Sequence, residues 1–238
     1  MSESVLIAND GRLTREQLAL VPTPPATMTH KPIAHIDVVN GLMETFGFRR
    51  IAVVRDEYAV SRDGMKMFGV MELDQGMHGA RFALGIRNSH DKTFRLAVTV
   101  GYRVFVCENL AFSGDFSPVL AKHSKNFLLS NALSIGVDDM QRNFQPMVEA
   151  VDRWRDSQLS EAVARLIIYR AFIEGELAVP RHLARPVHDL YFNPQHDEFA
   201  PRTMWSLSNA FTGALKDLDP IPQYKATAKL AGFLEAAM

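Results

Sequence analysis

A long alternation of apolar and other residues constrains the fold of this chain more than any other feature. Every second position from Phe94 to Val106 carries a large apolar side chain. A period of two is typical of a β-strand that turns one face towards a core. Comparable segments lie upstream, separated by turn sequences such as Arg62-Asp63-Gly64. We therefore predict an antiparallel meander of about four strands, at about 50–60, 66–73, 80–88 and 93–107.

Helical periodicity flanks this meander on both sides. Apolar residues from Ile36 to Phe46 recur at helical spacing, and Gly47 is a suitable stop. After Pro118 the pattern becomes helical again, although Pro146 predicts a kink. The predicted helices there cover about 118–133, 137–155, 159–173, 203–217 and 222–238. The fold class is therefore α+β: one helix, an antiparallel meander and then several helices.

Proline positions suggest how the chain is organised. Pro22, Pro24 and Pro25 interrupt an N-terminal arm, 1–31, in which only residues 14–20 could form a helical turn or two. Residues 32–175 form the predicted α+β core. The remainder, 176–238, is predicted as a proline-containing surface loop over 176–201 followed by C-terminal helices packed on the core.

Composition limits the classes of function. The 238 residues include 26 basic and 27 acidic side chains, with a formal net charge of −1. Such a chain binds a polyanion only if its charge is locally segregated. The single cysteine excludes an internal disulfide and a zinc site made only of cysteines. No apolar run approaches the ~20 residues that span a bilayer, and no signal peptide is recognisable, so we expect a cytoplasmic protein without a membrane partner.

Arginines alternate along the predicted hairpin and indicate a basic face. Small residues separate them, so an extended ligand could lie close to the strands, and guanidinium groups bind phosphate bidentately. Phe105 lies on the same predicted face and could stack on a base. An amphipathic sheet whose arginines pair with carboxylates is the alternative. The arginines of this face are Arg81, Arg87, Arg95 and Arg103.

Two polar segments lie close to this face in the sequence. The predicted turn Arg87-Asn88-Ser89-His90-Asp91-Lys92 could surround an anion with cations, a hydroxyl and turn amides. The segment from Lys122 to Lys125 opens a predicted helix, where free amides would also favour an anion, although a solvated first turn is an alternative. The predicted nucleic-acid-binding residues are Arg81, Arg87, Asn88, Ser89, His90, Lys92, Arg95, Arg103, Phe105, Lys122 and Lys125.

Two catalytic alternatives use the same region. Cys107 could be a nucleophile with His90 or His123 as base and Asp91 or Asn109 as orienting group. A continuous strand would, however, place Cys107 ~45 Å from His90.

The second alternative is a metal site, for which the sequence has no supporting ligand spacing. Its candidate ligands are His90 and Asp91 with His123, Glu108 or Asp115.

Several of these motifs resemble a family of phage- and plasmid-related proteins of unassigned biochemical function. The resemblance covers roughly residues 30–215. It rests on Ser61-Arg62-Asp63-Gly64-Met65, Phe68-Gly69-Val70, the segment Gly85–Lys92, the segment Val104–Leu110, Lys122-His123, and Trp205-Ser206-Leu207 with Asn209-Ala210. It implies a role in the maintenance, defence or recombination of mobile elements. The order of helix, meander and long helices is also similar to the core of single-strand annealing proteins, which bind DNA on a basic hairpin and form rings.

The residues and the resemblance together predict a mobile-element protein that binds single-stranded nucleic acid without a cofactor. A homo-oligomer is compatible with this prediction. Two other classes stay open. One is the enzyme with a Cys/His or His/Asp metal site. The other is a protein-interaction module that targets a host factor through the charged hairpin.

Overall fold

The computed structural model describes residues 12–107, 109–112, 118–218 and 220–237. These residues divide into two compact units. The first, which we call the sheet unit, contains residues 12–102 and 118–143. The second, the helical unit, contains the described residues of 103–112 and those from 144 onwards. The division predicted from the sequence, at 31/32 and 175/176, stays a prediction.

The strands form one antiparallel sheet in the order β1-β2-β3-β4-β5, with β6 also paired with β4. The last residues of β4, from Arg103 on, belong to the helical unit together with β5. The predicted meander is confirmed, with two short strands added to it. The strands are β1 Val53–Val60, β2 Lys66–Met77, β3 Ala80–Ser89, β4 Leu96–Val104, β5 Leu110–Phe112 and β6 Val119–Ala121.

Two helices of the sheet unit pack closely on each other. These are α2, His35–Phe48, and the first half of α3, Leu129–Asp156; a short α1, Arg15–Ala19, precedes them. A Cβ on Gly41 of α2 would lie 2.8 Å from Leu133 of α3, so glycine allows the close approach. Arg49 at the end of α2 donates to the Asp138 carboxylate at 2.7 Å, which adds a polar contact to the same helix pair.

The helical unit continues with the second half of α3 and four further helices. Thr203 caps α6 by accepting the Ser206 N–H at 3.2 Å, as its position before an apolar run predicts. A π-helical segment, Arg170–Glu174, extends α4 and ends at Gly175, whose φ of 78° suits glycine. The helices are α4 Glu161–Tyr169, α5 Ala184–Phe192, α6 Met204–Leu215 and α7 Pro220–Glu235.

Two sequence predictions about these elements were wrong. No helix covers 118–133 as predicted, because this segment contributes β6 and a loop, and α3 begins only at Leu129 and runs through Pro146. The predicted loop over 176–201 contains α5, in which Pro186 stands in the first turn, where its missing N–H breaks no helical hydrogen bond. Among the helices of the described residues, none has the length and apolarity needed to cross a membrane.

Candidate nucleic-acid interface

The predicted basic face of the hairpin is not an open surface. All nine residues of β4 are buried, so both faces of this strand are covered. Arg103 keeps only 4% of its surface exposed. The structure therefore does not present Arg103 on an open surface, and its contact with a polyanion stays a prediction. Small residues on the second face, such as Ala83 and Ala97, suit close packing as well as they would suit a ligand.

The remaining arginines of the predicted face are scattered. Arg81 is exposed but lies opposite Gly76, at the far end of β3. Arg87 lies six residues further along the strand, which corresponds to ~20 Å, and its guanidinium sits 5.7 Å from the centre of the Phe94 ring. Arg95 precedes β4 and is exposed. These side chains do not form one stripe.

The polar segment from Arg87 to Lys92 is largely strand and not turn. β3 continues to Ser89, which pairs with Lys66, and the His90 N–H donates to the Met65 carbonyl at 2.8 Å. Asn88, Ser89 and His90 are at most 3% exposed. The sequence placed these three side chains on an exposed turn, whereas the structure buries them; their direct contact with phosphate stays a prediction. Lys92 is exposed.

Asp91 organises the short turn that follows. Its carboxylate accepts the Ser89 hydroxyl at 2.5 Å and the Thr93 N–H at 3.0 Å, and Lys66 Nζ lies 3.3 Å away. Burial raises the pKa of Asp91, but these hydrogen bonds outweigh it and hold the pKa below its ordinary value. Asp91 is therefore a charged structural group of the turn, and Lys92 beside it adopts a positive φ of 64°.

Buried imidazoles meet at this end of the sheet and form what we call the histidine cluster. Within it, His35 Nε2 lies 3.0 Å from the Gly64 carbonyl, and His35 Nδ1 lies 2.9 Å from the Asn88 amide nitrogen. This arrangement fixes a neutral ring with its proton on Nε2. The ring stacks on that of His90 at 3.9 Å. The cluster consists of His30, His35, His90 and His123.

The cluster fastens the segment before α2 to the sheet. The His30 ring nitrogens lie 3.0 Å from the backbone oxygens of His90 and His123. The His90 Nε2 donates to the Ile33 carbonyl at 2.9 Å. In addition, the Lys31 N–H donates to the His123 carbonyl at 3.2 Å. Residues 30–33 are thus connected both to the end of β3 and to the loop after β6.

Other nitrogens of the cluster are buried without a hydrogen-bond partner among the described residues. They are Nδ1 of His90 and both ring nitrogens of His123. Burial, followed by neighbouring histidines, lowers the pKa of His35 and that of His123 to about 4. Burial also lowers the pKa of His90. These rings are therefore neutral at pH 7, although they lie beside a concentration of lysines.

Exposed cations surround the histidine cluster at the end of the sheet where β3 finishes and β4 begins. The antiparallel register pairs Leu96 with Ala121, so the next residues outward, Arg95 and Lys122, also come side by side. Lys31 reaches the same place through its bond to the His123 carbonyl. We call this the basic end, and it comprises Lys31, Lys92, Arg95, Lys122 and Lys125.

None of the basic-end cations forms an ion pair with a carboxylate among the described residues. The carboxylates nearby have other partners. Asp91 is held by Lys66, and Asp63 accepts from the Ser61 hydroxyl and the Met65 N–H. The predicted helix at Lys122–Lys125 is absent, so a loop presents these lysines in place of a helix terminus.

The residues of the catalytic alternatives fall into different units. Cys107 and Asn109 belong to the helical unit, whereas His90 and His123 belong to the sheet unit. Burial raises the pKa of the Cys107 thiol to about 11, which leaves it protonated and a poor nucleophile at pH 7. Phe105, the predicted stacking residue, also lies in the helical unit and is 53% exposed.

The metal alternative finds no support in the part of the chain that the structure describes. There, no three His, Cys, Asp or Glu side chains are arranged so that they could hold a metal ion. Two of the predicted ligands, Glu108 and Asp115, lie outside the described residues.

Sequence reasoning missed three residues of this region, His30, Lys31 and His35. They lie at the boundary of the predicted arm, and their spacing matches no ligand motif. The available signal was the local concentration of His and Lys immediately before a helix.

A comparison of the chain with family models gives a match over most of its length. The model of a domain of unknown function, DUF932, matches residues 28–229. The chain belongs to this family. The matched segment contains the whole histidine cluster and the whole basic end, so the DUF932 domain includes this candidate interface. No curated protein and no solved structure matches the chain.

Proposed function

We propose that this DUF932 protein binds single-stranded nucleic acid through the basic end. The observation that carries the proposal is the gathering of exposed cations, free of described carboxylate partners, at one end of the sheet. The chain as a whole has a net charge of −1. A local cluster of cations in such a chain is the charge segregation that binding to a polyanion requires.

The physical basis of this binding is the release of counterions from the phosphate backbone. Each phosphate neutralised by a lysine or arginine frees condensed cations, so the affinity falls as salt rises. Long lysine side chains on loops, such as Lys122 and Lys125, can follow an irregular backbone. A flexible single strand adapts to a compact patch of this kind more readily than a rigid duplex does.

Apolar side chains next to these cations favour an unpaired strand over a duplex. Met28 is 91% exposed two residues before His30, and Leu128 is 64% exposed in the loop that carries Lys125. Phe94 is half-buried immediately before Arg95. Unpaired bases offer apolar faces that pack on such side chains, whereas a duplex keeps those faces stacked inside.

A role on phages or plasmids completes the proposal. It rests on the resemblance of the motifs to phage- and plasmid-related proteins, and the order of the elements adds a likeness to single-strand annealing proteins. Binding of single strands is the activity that maintenance and recombination of such elements would use. The fold alone does not establish this role, because one fold supports many functions.

Fluorescence anisotropy with a labelled oligonucleotide tests the proposal. Single-stranded DNA, single-stranded RNA and duplex DNA are titrated at two salt concentrations. We expect the single strands to bind more tightly than the duplex. Combined replacement of Arg95, Lys122 and Lys125 by alanine should weaken binding at least about tenfold at low salt. It should also reduce the slope of log affinity against log salt by about 2, because each lost phosphate contact removes ~0.7.

A matched triple variant controls for the loss of charge. Arg142, Arg165 and Arg185 are exposed cations outside the basic end, with side chains 72%, 57% and 89% exposed. Their combined replacement by alanine removes the same charge and should change affinity and salt slope far less. Equal losses in the two triple variants, or no binding by the unchanged protein, would refute an interface at the basic end.

A further inference from the structure

The His123 backbone carbonyl is hydrogen-bonded, whereas neither of its ring nitrogens has a partner among the described residues. Its backbone carbonyl accepts from His30 Nδ1 at 3.0 Å and from the Lys31 N–H at 3.2 Å. Its ring is nearly parallel to the His30 ring: the angle between the two ring planes is 7°, and the ring centres lie 5.6 Å apart. The residue is 6% exposed, and neither ring nitrogen has a partner among the described residues.

Buried polar atoms are nearly always hydrogen-bonded in proteins. A buried imidazole whose two nitrogens have no partner among the described residues therefore points to a ligand. The charged and titratable groups around the ring determine which ligand fits. His30, His35 and His90 are its titratable neighbours. The cations adjacent to the cluster in the chain are Lys31, which follows His30, and Lys122 and Lys125, which flank His123. Asp91, the carboxylate that follows His90 in the chain, already pairs with Lys66. These surroundings favour an anion that can accept a hydrogen bond from an imidazole.

We propose that His123, together with Lys31 and Lys122, binds a terminal phosphate of nucleic acid and that His123 takes up one proton when the phosphate binds. This inference rests on the proposed function, because it gives the same interface a preference for strand ends. A terminal phosphate fits better than a backbone phosphate for steric reasons. Both His123 nitrogens are buried, and a terminal phosphate, which carries one sugar, needs less room to reach them than a phosphodiester flanked by two.

Charge also favours the terminal group. A phosphate monoester carries between one and two negative charges near pH 7, since its second pKa is about 6. A backbone diester carries only one. The greater charge strengthens the attraction to the lysines and to a protonated ring. Because both ring nitrogens are buried in the free protein, binding of the phosphate requires a local rearrangement around the ring.

The uptake of a proton follows from electrostatics. In the free protein, burial and then the neighbouring His30 and His90 lower the pKa of His123 to about 4, so the ring is neutral at pH 7. A phosphate oxygen beside the ring favours the charged form and raises this pKa. The proton comes from solvent or from the monoanionic phosphate and binds the free lone pair of the ring. No covalent bond to the phosphate forms or breaks.

Two oligonucleotides of one sequence, with a 5′-phosphate and with a 5′-hydroxyl, test the inference at constant ionic strength. We expect the phosphorylated strand to bind at least fivefold tighter at pH 6, and the preference to shrink at pH 8. His123→Phe keeps a stacking ring without nitrogens, and should bind both strands as the unchanged protein binds the hydroxyl strand. His188→Phe, in the helical unit, removes an exposed imidazole elsewhere and should keep the preference.

The same titrations separate the inference from the proposed function. Equal binding of both strands by the unchanged protein would overturn the terminal-phosphate site and leave the basic end intact. Binding of neither strand would overturn the proposed function. In that case, or if His123→Phe does not fold, ¹⁵N spectra of the unchanged protein with inorganic phosphate decide the inference. Signals of His123 that move to the imidazolium position support it. Signals that stay unmoved at saturating phosphate overturn it.

Discussion

The histidine cluster in the sheet unit and helix α6 in the helical unit are both buried and polar, yet they differ in how their polar atoms are satisfied. In α6, the Asn209 amide donates to the Trp205 carbonyl at 3.0 Å, and the Thr212 hydroxyl donates to the Ser208 carbonyl at 3.1 Å. These bonds stay within one helix and need no ligand. In the cluster, both His123 nitrogens are buried without a described partner.

This difference separates structural polarity from candidate binding groups. A side chain that bonds to its own helix costs little to bury and provides nothing to a ligand. Burial of an imidazole whose ring nitrogens form no hydrogen bond costs desolvation free energy. A ligand that bonds to those nitrogens offsets this cost. The neighbourhood agrees with this interpretation. Exposed lysines without described carboxylate partners surround the cluster, whereas nearly every residue of α6 is buried.

The largest expected effect is loss of stability in mild acid. His35 and His123 have a pKa of about 4 in the folded protein and about 6.5 when unfolded. Between these values the unfolded chain binds more protons, so the free energy of unfolding falls as pH drops from 6.5 to 4. Each ring accounts for about 3 kcal/mol, on the order of 6 kcal/mol together. Urea denaturation at pH 7, 6, 5 and 4.5 measures this.

The substitution His123→Phe should reduce the pH dependence of the free energy of unfolding by roughly half. Only the contribution of His35 and the smaller contribution of His90 to that dependence then remain. Little of the loss between pH 6.5 and 5 comes from carboxylates, whose unfolded pKa values lie near 4. Stability that stays constant between pH 7 and 5 would show that these rings are not buried and neutral, and the contrast with α6 would lose its basis.

The next effect compares two rings of the same cluster at pH 7.5. His35→Phe removes a ring whose two nitrogens are bonded, and leaves the Gly64 carbonyl and the Asn88 amide without those bonds. We expect a loss of about 2–4 kcal/mol in the free energy of unfolding. His123→Phe breaks no described hydrogen bond, so its free energy of unfolding should change by less than about 1 kcal/mol.

Both values come from chemical denaturation monitored by circular dichroism, with the unchanged protein as reference. A loss of more than about 2 kcal/mol in His123→Phe would mean that its nitrogens have strong partners in the free protein. The distinction between His123 and α6 would then disappear.

The smallest effect is expected in α6. Thr212→Val keeps the shape of the side chain and removes a hydroxyl that bonds to carbonyls of its own helix. The helix already engages those carbonyls, so the loss should be about 1 kcal/mol or less, and nucleic-acid affinity should not change. Thermal denaturation and the anisotropy assay measure the two quantities. An affinity change beyond about threefold would indicate that α6 has a role in binding.

Much of the fold followed from local patterns. The strands β1 to β4 were predicted to within a few residues, because alternation and turn residues act over neighbouring positions. The Thr203 cap and the Gly175 stop are equally local signals. The failure at residues 119–121 has a non-local cause. Residues 119–121 form a strand only because Leu96–Val98 offer an edge for pairing, and no local pattern reports a distant edge.

The candidate site was only partly predictable. The sequence drew attention to the region of Lys92, Lys122 and His123, where polar residues exceed what a turn needs, and the proposed interface includes this region. It could not show that Arg103 is buried, because alternation tells which residues share a face but not whether that face is covered. His30 and His35 could not be assigned, since their partners lie 29 to 93 positions away in sequence.

By itself, the amino-acid sequence determined the fold class, the extent of most strands and the near-neutral charge balance, because these depend on composition and on spacing along the chain. Only the tertiary structure decided which cations are exposed together and which polar atoms are buried without partners. Burial and ion pairing depend on segments that are remote in sequence and adjacent in space. For example, the pairing of Leu96 in β4 with Ala121 in β6 brings the adjacent residues Arg95 and Lys122 to the same end of the sheet.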